Sequence, residues 1–103
     1  MPHELLRRRQ FLEDYREIVV SIGDKDASAA NRFCDAVEAA LAIFIVHPEI
    51  GPKAGFPKAP DARFWPLRGF RNYLLFYRVA GNSIIVLRLL HAARNLPPLV
   101  PTE

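Results

Sequence analysis

Apolar residues in the first half of the chain recur at helical spacing. From position 10 onward they fall three or four residues apart and so share one face of a helix: Phe11, Tyr15, Ile18, Val19 and Ile22. Gly23 is expected to end this first helix as a C-terminal cap. Asp24 or Asp26 can cap the start of the next helix, because a carboxylate accepts hydrogen bonds from the free amides of a first turn.

The second predicted helix carries the clearest apolar stripe, made of Ala30, Phe33, Val37, Leu41 and Phe44. Frequent alanines favour a helix here and also allow close approach to a neighbouring element. Pro48 predicts that this helix ends at His47, since the residue before a proline avoids helical backbone angles. Few residues separate the two helices, so we expect them to form an antiparallel hairpin.

Extended segments dominate the second half of the chain. Residues 72–79 and 84–90 are largely apolar or aromatic, and the Ala-Gly-Asn-Ser sequence at 80–83 predicts a hairpin turn between them. Residues 63–68 form a shorter run, in which Pro66 is expected to confine the strand to a sheet edge or a bulge. The second half therefore predicts a three-stranded meander.

The remaining segments complete a single α+β domain. Residues 48–60 contain four prolines and two glycines, which is typical of an irregular loop. Residues 3–8 alternate weakly and predict a first strand, whereas the proline-rich residues 96–103 predict an irregular tail. A chain of 103 residues predicts one domain over 1–103. The expected fold is an N-terminal strand and a helical hairpin packed on a small, mainly antiparallel sheet, in two layers.

Charge and composition narrow the possible partners. The net charge of +3 and the pI of about 9.4 suit either an acidic protein segment or a nucleic acid. No apolar run reaches the roughly 18 residues that cross a membrane, and the N-terminus lacks the pattern of a signal peptide. A cytoplasmic protein without membrane partners is therefore expected. Its single cysteine, Cys34, excludes an internal disulfide.

No complete catalytic or ligand-binding motif is visible in the sequence. The serines, the single cysteine and the threonine show no pairing with a histidine that would predict a nucleophile. The three histidines, His3, His47 and His91, are far apart and have no metal-ligand spacing. No glycine-rich phosphate loop follows a strand. We expect neither a cofactor nor a metal.

Scattered cations are the remaining candidates for binding. Arg63, Arg68 and Arg71, with Lys53 and Lys58 in the loop, can hold phosphates electrostatically; they can equally keep a small sheet soluble or form ion pairs.

The strand ends offer two further kinds of candidate. His91 and Arg94 follow the last strand, where they can serve chemistry or only satisfy the sheet edge. Strand aromatics can stack on bases, although a core role is the commoner one. These aromatics are Trp65, Phe70, Tyr73, Phe76 and Tyr77.

Several short segments occur in an order and spacing that can be compared with known protein families. The segments are PEIG at 48–51, RFWPL at 63–67, GF at 69–70, YLLFYR at 73–78 and VLRLLHAARNL at 86–96. Their order and spacing resemble the ParE branch of the RelE/ParE toxin superfamily, whose members are often called plasmid stabilisation toxins. Ala92 and Asn95 depart from that pattern, since glycine and aspartate are common at these positions.

The resemblance implies a toxin of a type II toxin–antitoxin system, held inactive by a cognate antitoxin whose C-terminal segment wraps its surface. ParE-like members bind and inhibit DNA gyrase, whereas RelE-like members cut messenger RNA on the ribosome with basic residues and a terminal Tyr or His. Arg68 and Arg94 fall near functional arginines of the RelE-like branch. The terminal Tyr or His position falls near Leu99 and Val100, which have no acid–base chemistry.

Gyrase inhibition by binding is therefore the favoured hypothesis, with Arg63, Arg68, Arg71 and Arg94 as the target-binding surface. The alternative is a ribosome-dependent mRNA endoribonuclease of the RelE type, whose catalytic candidates are Arg68, His91 and Arg94. A third hypothesis is an interaction domain that has lost toxicity; it predicts unimpaired growth when the chain is expressed.

Overall fold

Two helices and a four-stranded sheet make up the fold in a computed structural model, which describes residues 3–92. The elements follow in the order β1 (Glu4–Arg7), α1 (Arg9–Lys25), α2 (Ala27–Val46), β2 (Arg63–Leu67), β3 (Phe70–Ala80) and β4 (Ser83–His91). The predicted α+β class and the predicted first strand are confirmed. The predicted tail, residues 96–103, lies outside the described residues.

A single residue, Asp26, joins the two helices. Its backbone is extended, with φ −159° and ψ 101°, which ends α1, and its carboxylate accepts a hydrogen bond of 3.1 Å from the Ala29 amide at the start of α2. The prediction that Gly23 ends α1 is wrong: the helix continues to Lys25. Gly23 does not adopt the positive φ of a glycine cap, and the extended Asp26 performs the reversal instead.

The strands are arranged in the order β1-β4-β3-β2. The β2, β3 and β4 strands form the predicted antiparallel meander, and β1 pairs with β4 in parallel. Gly81 has a φ of 58° in the two-residue turn between Ala80 and Ser83, a conformation that glycine adopts without strain. Pro66 lies in an edge strand beside a register shift, as predicted.

The main core lies between the helical hairpin and one face of the sheet. All five residues of the predicted α2 stripe are buried, which confirms that prediction. Phe44 stacks on Tyr77 with ring centroids 4.0 Å apart, and Phe33 meets Phe70 and Tyr73 edge-on at 5.2 Å. The aromatic residues of α2 and β3 therefore fix the position of the hairpin on the sheet.

The opposite face of the sheet is also covered, by a loop and not by a further layer of helices or strands. The loop between α2 and β2 folds back over this face, where the Phe56 ring lies 5.4 Å from the Phe76 ring. The Ala54 amide donates a 2.8 Å hydrogen bond to the Ala62 carbonyl, and Ala62 is fully buried. Apolar side chains of β3 and β4 point to both faces of the sheet, so an uncovered second face would expose many of them to water. Within residues 3–92, no helix has the length and apolar character needed to cross a membrane.

One buried ion pair fastens α1 to the sheet. The Asp14 carboxylate accepts two hydrogen bonds from the Arg88 guanidinium, at 2.7 and 3.0 Å, and a third from the Leu89 amide at 3.1 Å. The β1 strand pairs with β4 only as far as Val86. Asp14 therefore satisfies an amide of β4 that lies beyond the end of its neighbouring strand.

Candidate functional site

Two of the predicted target-binding arginines lie at the turn between β2 and β3. Arg68 is in the turn itself and Arg71 is at the start of β3, and both side chains are exposed. Among residues 3–92, no side chain or backbone group forms a hydrogen bond or ion pair with either arginine. This basic turn is therefore available to a negatively charged partner, although its function as a target-binding surface stays a prediction.

Arg63, which was predicted to belong to the same surface, is engaged elsewhere. Its guanidinium donates hydrogen bonds to the carbonyl of Gly51 at 2.7 Å and to the carbonyl of Glu49 at 3.3 Å. The Gly51 amide in turn donates a 2.9 Å hydrogen bond to the Tyr77 hydroxyl. Arg63 thus holds the connection that follows α2 against the sheet, and this contact has a structural purpose whatever else the residue does.

Burial raises the pKa of Tyr77, and the Gly51 amide and the nearby Arg63 oppose that shift only in part. A phenol whose pKa is higher in the folded state contributes stability that is fully present below its unfolded pKa, about 10, and is lost as the pH rises through the folded pKa. The free energy of unfolding should therefore decline above about pH 10. Tyr77→Phe should make this decline shallower when urea denaturation is measured between pH 9 and 11. If the free energy of unfolding fell equally steeply in the variant and the wild type, Tyr77 would not be a cause of the decline.

The candidates at the end of β4 are only partly described. The His91 ring is half-buried and meets Tyr73 edge-on, with centroids 4.9 Å apart. The Ala92 amide donates a 2.6 Å hydrogen bond to the Asn72 carbonyl and closes this end of the hairpin. Arg94 lies outside the described residues. A catalytic role for His91 and Arg94 therefore stays a prediction.

The aromatic residues of β2 and β3 divide between the core and the surface. Phe76 and Tyr77 are buried, and Phe70 and Tyr73 pack on Phe33, which agrees with a core role. Trp65 differs, since its half-buried ring faces a groove between α2 and the β2 edge.

The groove between α2 and β2 was missed in the sequence. Its volume is about 400 Å³. Its lining includes Arg32, Asp35, Ala39, Ile43, Trp65 and Arg68. One signal was present: residues 36–46 contain a single polar side chain, that of Glu38, so this half of α2 is almost wholly apolar. Such a helix is typical of one that is covered all round.

Comparisons with known proteins show the family of the chain and a structure with a similar fold. Residues 5–96 match the model of the ParE toxin of the type II toxin–antitoxin system parDE. The fold is similar to a chain from a structure described as the chromosomal ParDE toxin–antitoxin system of P. aeruginosa, with a TM-score of 0.72 and 16% sequence identity over 86% of this chain and 95% of the other. No curated protein sequence shows a significant match. The family match spans nearly all of the chain, and the protein therefore belongs to the ParE toxin family of type II toxin–antitoxin systems.

Proposed function

We propose that this toxin acts by binding and inhibiting DNA gyrase, and that it is not an RNA-cleaving enzyme. The observation that carries the proposal is the match of residues 5–96 to the ParE model, since gyrase is the target typical of that family. The position of the RelE-type terminal Tyr or His falls near Leu99 and Val100, whose side chains cannot transfer a proton. A binding toxin needs no such group.

The target-binding surface in this proposal is the basic turn of Arg68 and Arg71. Both side chains are exposed and make no ion pair within residues 3–92, so no internal contact has to break before they engage a partner. Arg94 is assigned to the same surface from its place in the sequence. Arg63 contributes indirectly, since its hydrogen bonds hold the backbone at Glu49 and Gly51.

The regulatory partner in this proposal is a cognate antitoxin, and both proteins work in the cytoplasm. A toxin with a net charge of +3 is complementary to an acidic antitoxin segment, and such complementarity speeds association and selects the partner. An acidic antitoxin encoded beside the toxin would support this pairing.

The test is a gyrase supercoiling assay with toxin purified free of antitoxin. Wild-type protein should inhibit supercoiling, and the double variant Arg68→Ala/Arg71→Ala should need about tenfold more protein for the same inhibition, because both contacts lie at the binding surface. Arg16→Ala, which removes an exposed arginine from α1, is the matched control and should behave as wild type. Intact supercoiling in the presence of folded wild-type toxin would refute the gyrase target.

Expression of the toxin alone in a bacterial host separates the two modes of action. Growth arrest with gyrase-type DNA damage and intact messages is the expected outcome. Arrest with messages cut in translated regions would instead establish the endoribonuclease, with the ribosome and mRNA as partners. In that case Arg94→Ala should abolish cleavage without unfolding the protein, and Arg68 and His91 would become catalytic candidates. Unimpaired growth would favour the non-toxic interaction domain.

A further inference from the structure

The β1 strand leaves one edge of the sheet open. The amides of Glu4 and Arg8 donate hydrogen bonds of 2.8 and 3.1 Å on the β4 side of the strand. The direction of the backbone groups alternates along a strand, so the amides and carbonyls of Leu5 and Arg7 point away from the sheet. Within residues 3–92, neither of these two amides has a hydrogen-bond partner. A second strand can therefore pair with this edge.

The opposite edge of the sheet, formed by β2, is protected against such pairing. The Phe64 amide faces outward there, but it already donates a 3.1 Å hydrogen bond to the Pro52 carbonyl. The next outward position is Pro66, which has no N–H. Edge strands usually avoid partners by such means, through prolines, bulges or covering loops. The β1 strand contains no proline and pairs with β4 without a register shift, so it lacks this protection.

The side chains of β1 that face away from the helices are acidic, apolar and basic in turn. Leu5 packs into the core on the helical face of the sheet, and alternation therefore points Glu4 and Leu6 to the other face. Arg8 is still extended, with φ −69° and ψ 150°, and continues this row. All three side chains of the row are exposed, and 42% of the Leu6 surface is accessible to solvent.

An antiparallel copy of the same strand matches this order of side chains. When Leu6 lies opposite Leu6 of a second copy, Glu4 lies opposite the second copy's Arg8. Leu5 then lies opposite the second copy's Arg7, and their outward amides and carbonyls exchange four hydrogen bonds across a twofold axis. The register thus joins unlike charges at both ends and buries two leucines at its centre.

The neighbouring registers are less favourable. A register centred on Leu5 sets Glu4 opposite Leu6, and it uses the backbone of His3, whose amide is already bonded to α2 at 3.3 Å. A register centred on Arg7 sets the two guanidiniums of that residue opposite one another, and like charges in this position are destabilising. The side chains of β1 therefore select the pairing centred on Leu6.

We infer that β1 is a homodimer interface, where a second copy of the chain adds its own β1 in antiparallel orientation and joins two four-stranded sheets into one of eight strands. The interface is short, so the dimer is reversible, with a dissociation constant on the order of 100 μM. The basic turn of Arg68 and Arg71 stays open in this dimer, because β2 lies at the opposite edge, about 14 Å away. The inference goes beyond the proposed function, since it needs neither gyrase nor an antitoxin.

The experiment is sedimentation velocity of the purified full-length toxin over concentrations that bracket this dissociation constant. Wild type should shift from monomer to dimer. Glu4→Arg and Arg8→Glu each place like charges opposite one another twice in the dimer, and each should weaken dimerisation at least tenfold. An equimolar mixture of these two variants should dimerise about as strongly as wild type, because each new charge then faces its opposite. Arg16→Glu, an equal charge reversal on the exposed face of α1, is the matched control and should dimerise as wild type.

Hydrogen exchange measured by NMR locates the interface at single residues. The amides of Leu5 and Arg7 should exchange several-fold more slowly at concentrations where wild type is dimeric than where it is monomeric. Thermal unfolding of each variant verifies that it is folded, and recovery of the dimer in the mixture is a second sign that both variants are intact.

Three results would overturn the inference. Wild-type toxin that stays monomeric at every concentration would exclude the dimer. A dimer that persists unchanged in both single variants would place the interface elsewhere on the chain. A mixture that fails to dimerise, although wild type does, would exclude the register centred on Leu6. None of these results bears on the gyrase target, which the supercoiling assay tests separately.

Discussion

Asp14→Ala is expected to lower the free energy of unfolding by about 3 kcal/mol, since removal of one partner from a buried ion pair leaves an uncompensated charge. The Asp14 and Arg88 side chains retain only 10% and 16% of their accessible surface. The substitution also leaves the Leu89 amide without its acceptor, and an unsatisfied buried amide is costly in its own right. Urea denaturation should show the loss, and the melting temperature should fall by more than about 10 °C for a domain of this size.

Two further variants separate the charge from the hydrogen bond. Asp14→Asn keeps an oxygen for the Leu89 amide and should cost less than Asp14→Ala. The double variant Asp14→Ala/Arg88→Met removes both charges and should recover part of the loss. Asp61→Ala is the matched control, because it removes the carboxylate of a more exposed pair with Arg78, and it should cost no more than about 1 kcal/mol. If Asp14→Ala lost no more stability than Asp61→Ala, the result would show that water screens the Asp14–Arg88 pair.

The main elements of the fold follow from local patterns in the sequence. The stripe from Ala30 to Phe44 determines which face of α2 is buried, because residues three or four apart share a face of a helix. The apolar runs around the turn at Gly81 likewise determine the hairpin of β3 and β4. These predictions depend on neighbours within a few residues, and local spacing is sufficient for them.

Contacts between distant parts of the chain were not predictable in the same way. Asp14 and Arg88 are 74 positions apart, and their pairing depends on how β1, α1 and β4 meet in space. Asp14 lies in a helix pattern that does not distinguish a surface carboxylate from one aimed at a strand edge. The cover of the second sheet face has the same origin, because nothing in the composition of residues 48–60 reveals which surface that loop covers.

In the candidate site, too, the residue types could be predicted from the sequence but their contacts could not. The sequence indicated Arg63, Arg68 and Arg71 as cations near the strands, but residue type alone does not separate Arg68, which is exposed in a turn, from Arg63, which donates to two backbone carbonyls. The groove depends on the distance between α2 and the β2 edge, which is a property of the assembled layers. In the sequence, the only sign of this surface was the excess of apolar residues in the second half of α2.

Gly51→Ala should destabilise the fold by about 3 kcal/mol, because a methyl group at this position has no space and the hydrogen bonds around it depend on the present backbone position. A Cβ at Gly51 would lie 2.5 Å from the Phe64 carbonyl oxygen and 2.9 Å from the Tyr77 hydroxyl. Phe64 belongs to β2, so its carbonyl cannot retreat without disturbing the pairing of β2 with β3. Any shift of Gly51 itself weakens its bonds to Tyr77 and Arg63.

Gly55→Ala is the matched control for this substitution. Gly55 has a φ of 81°, and a Cβ there would meet no atom within 4 Å, so its cost is conformational strain alone, about 1–2 kcal/mol. Urea denaturation of both variants should therefore place Gly51→Ala clearly below Gly55→Ala in stability. Adding Tyr77→Phe to Gly51→Ala should relieve the clash with the hydroxyl but not the one with the Phe64 carbonyl, so most of the loss should persist. If the double variant instead regained the full stability of the wild type, the Tyr77 hydroxyl would be the main source of the clash. The Phe64 carbonyl of β2 would then be able to move away from the added methyl group.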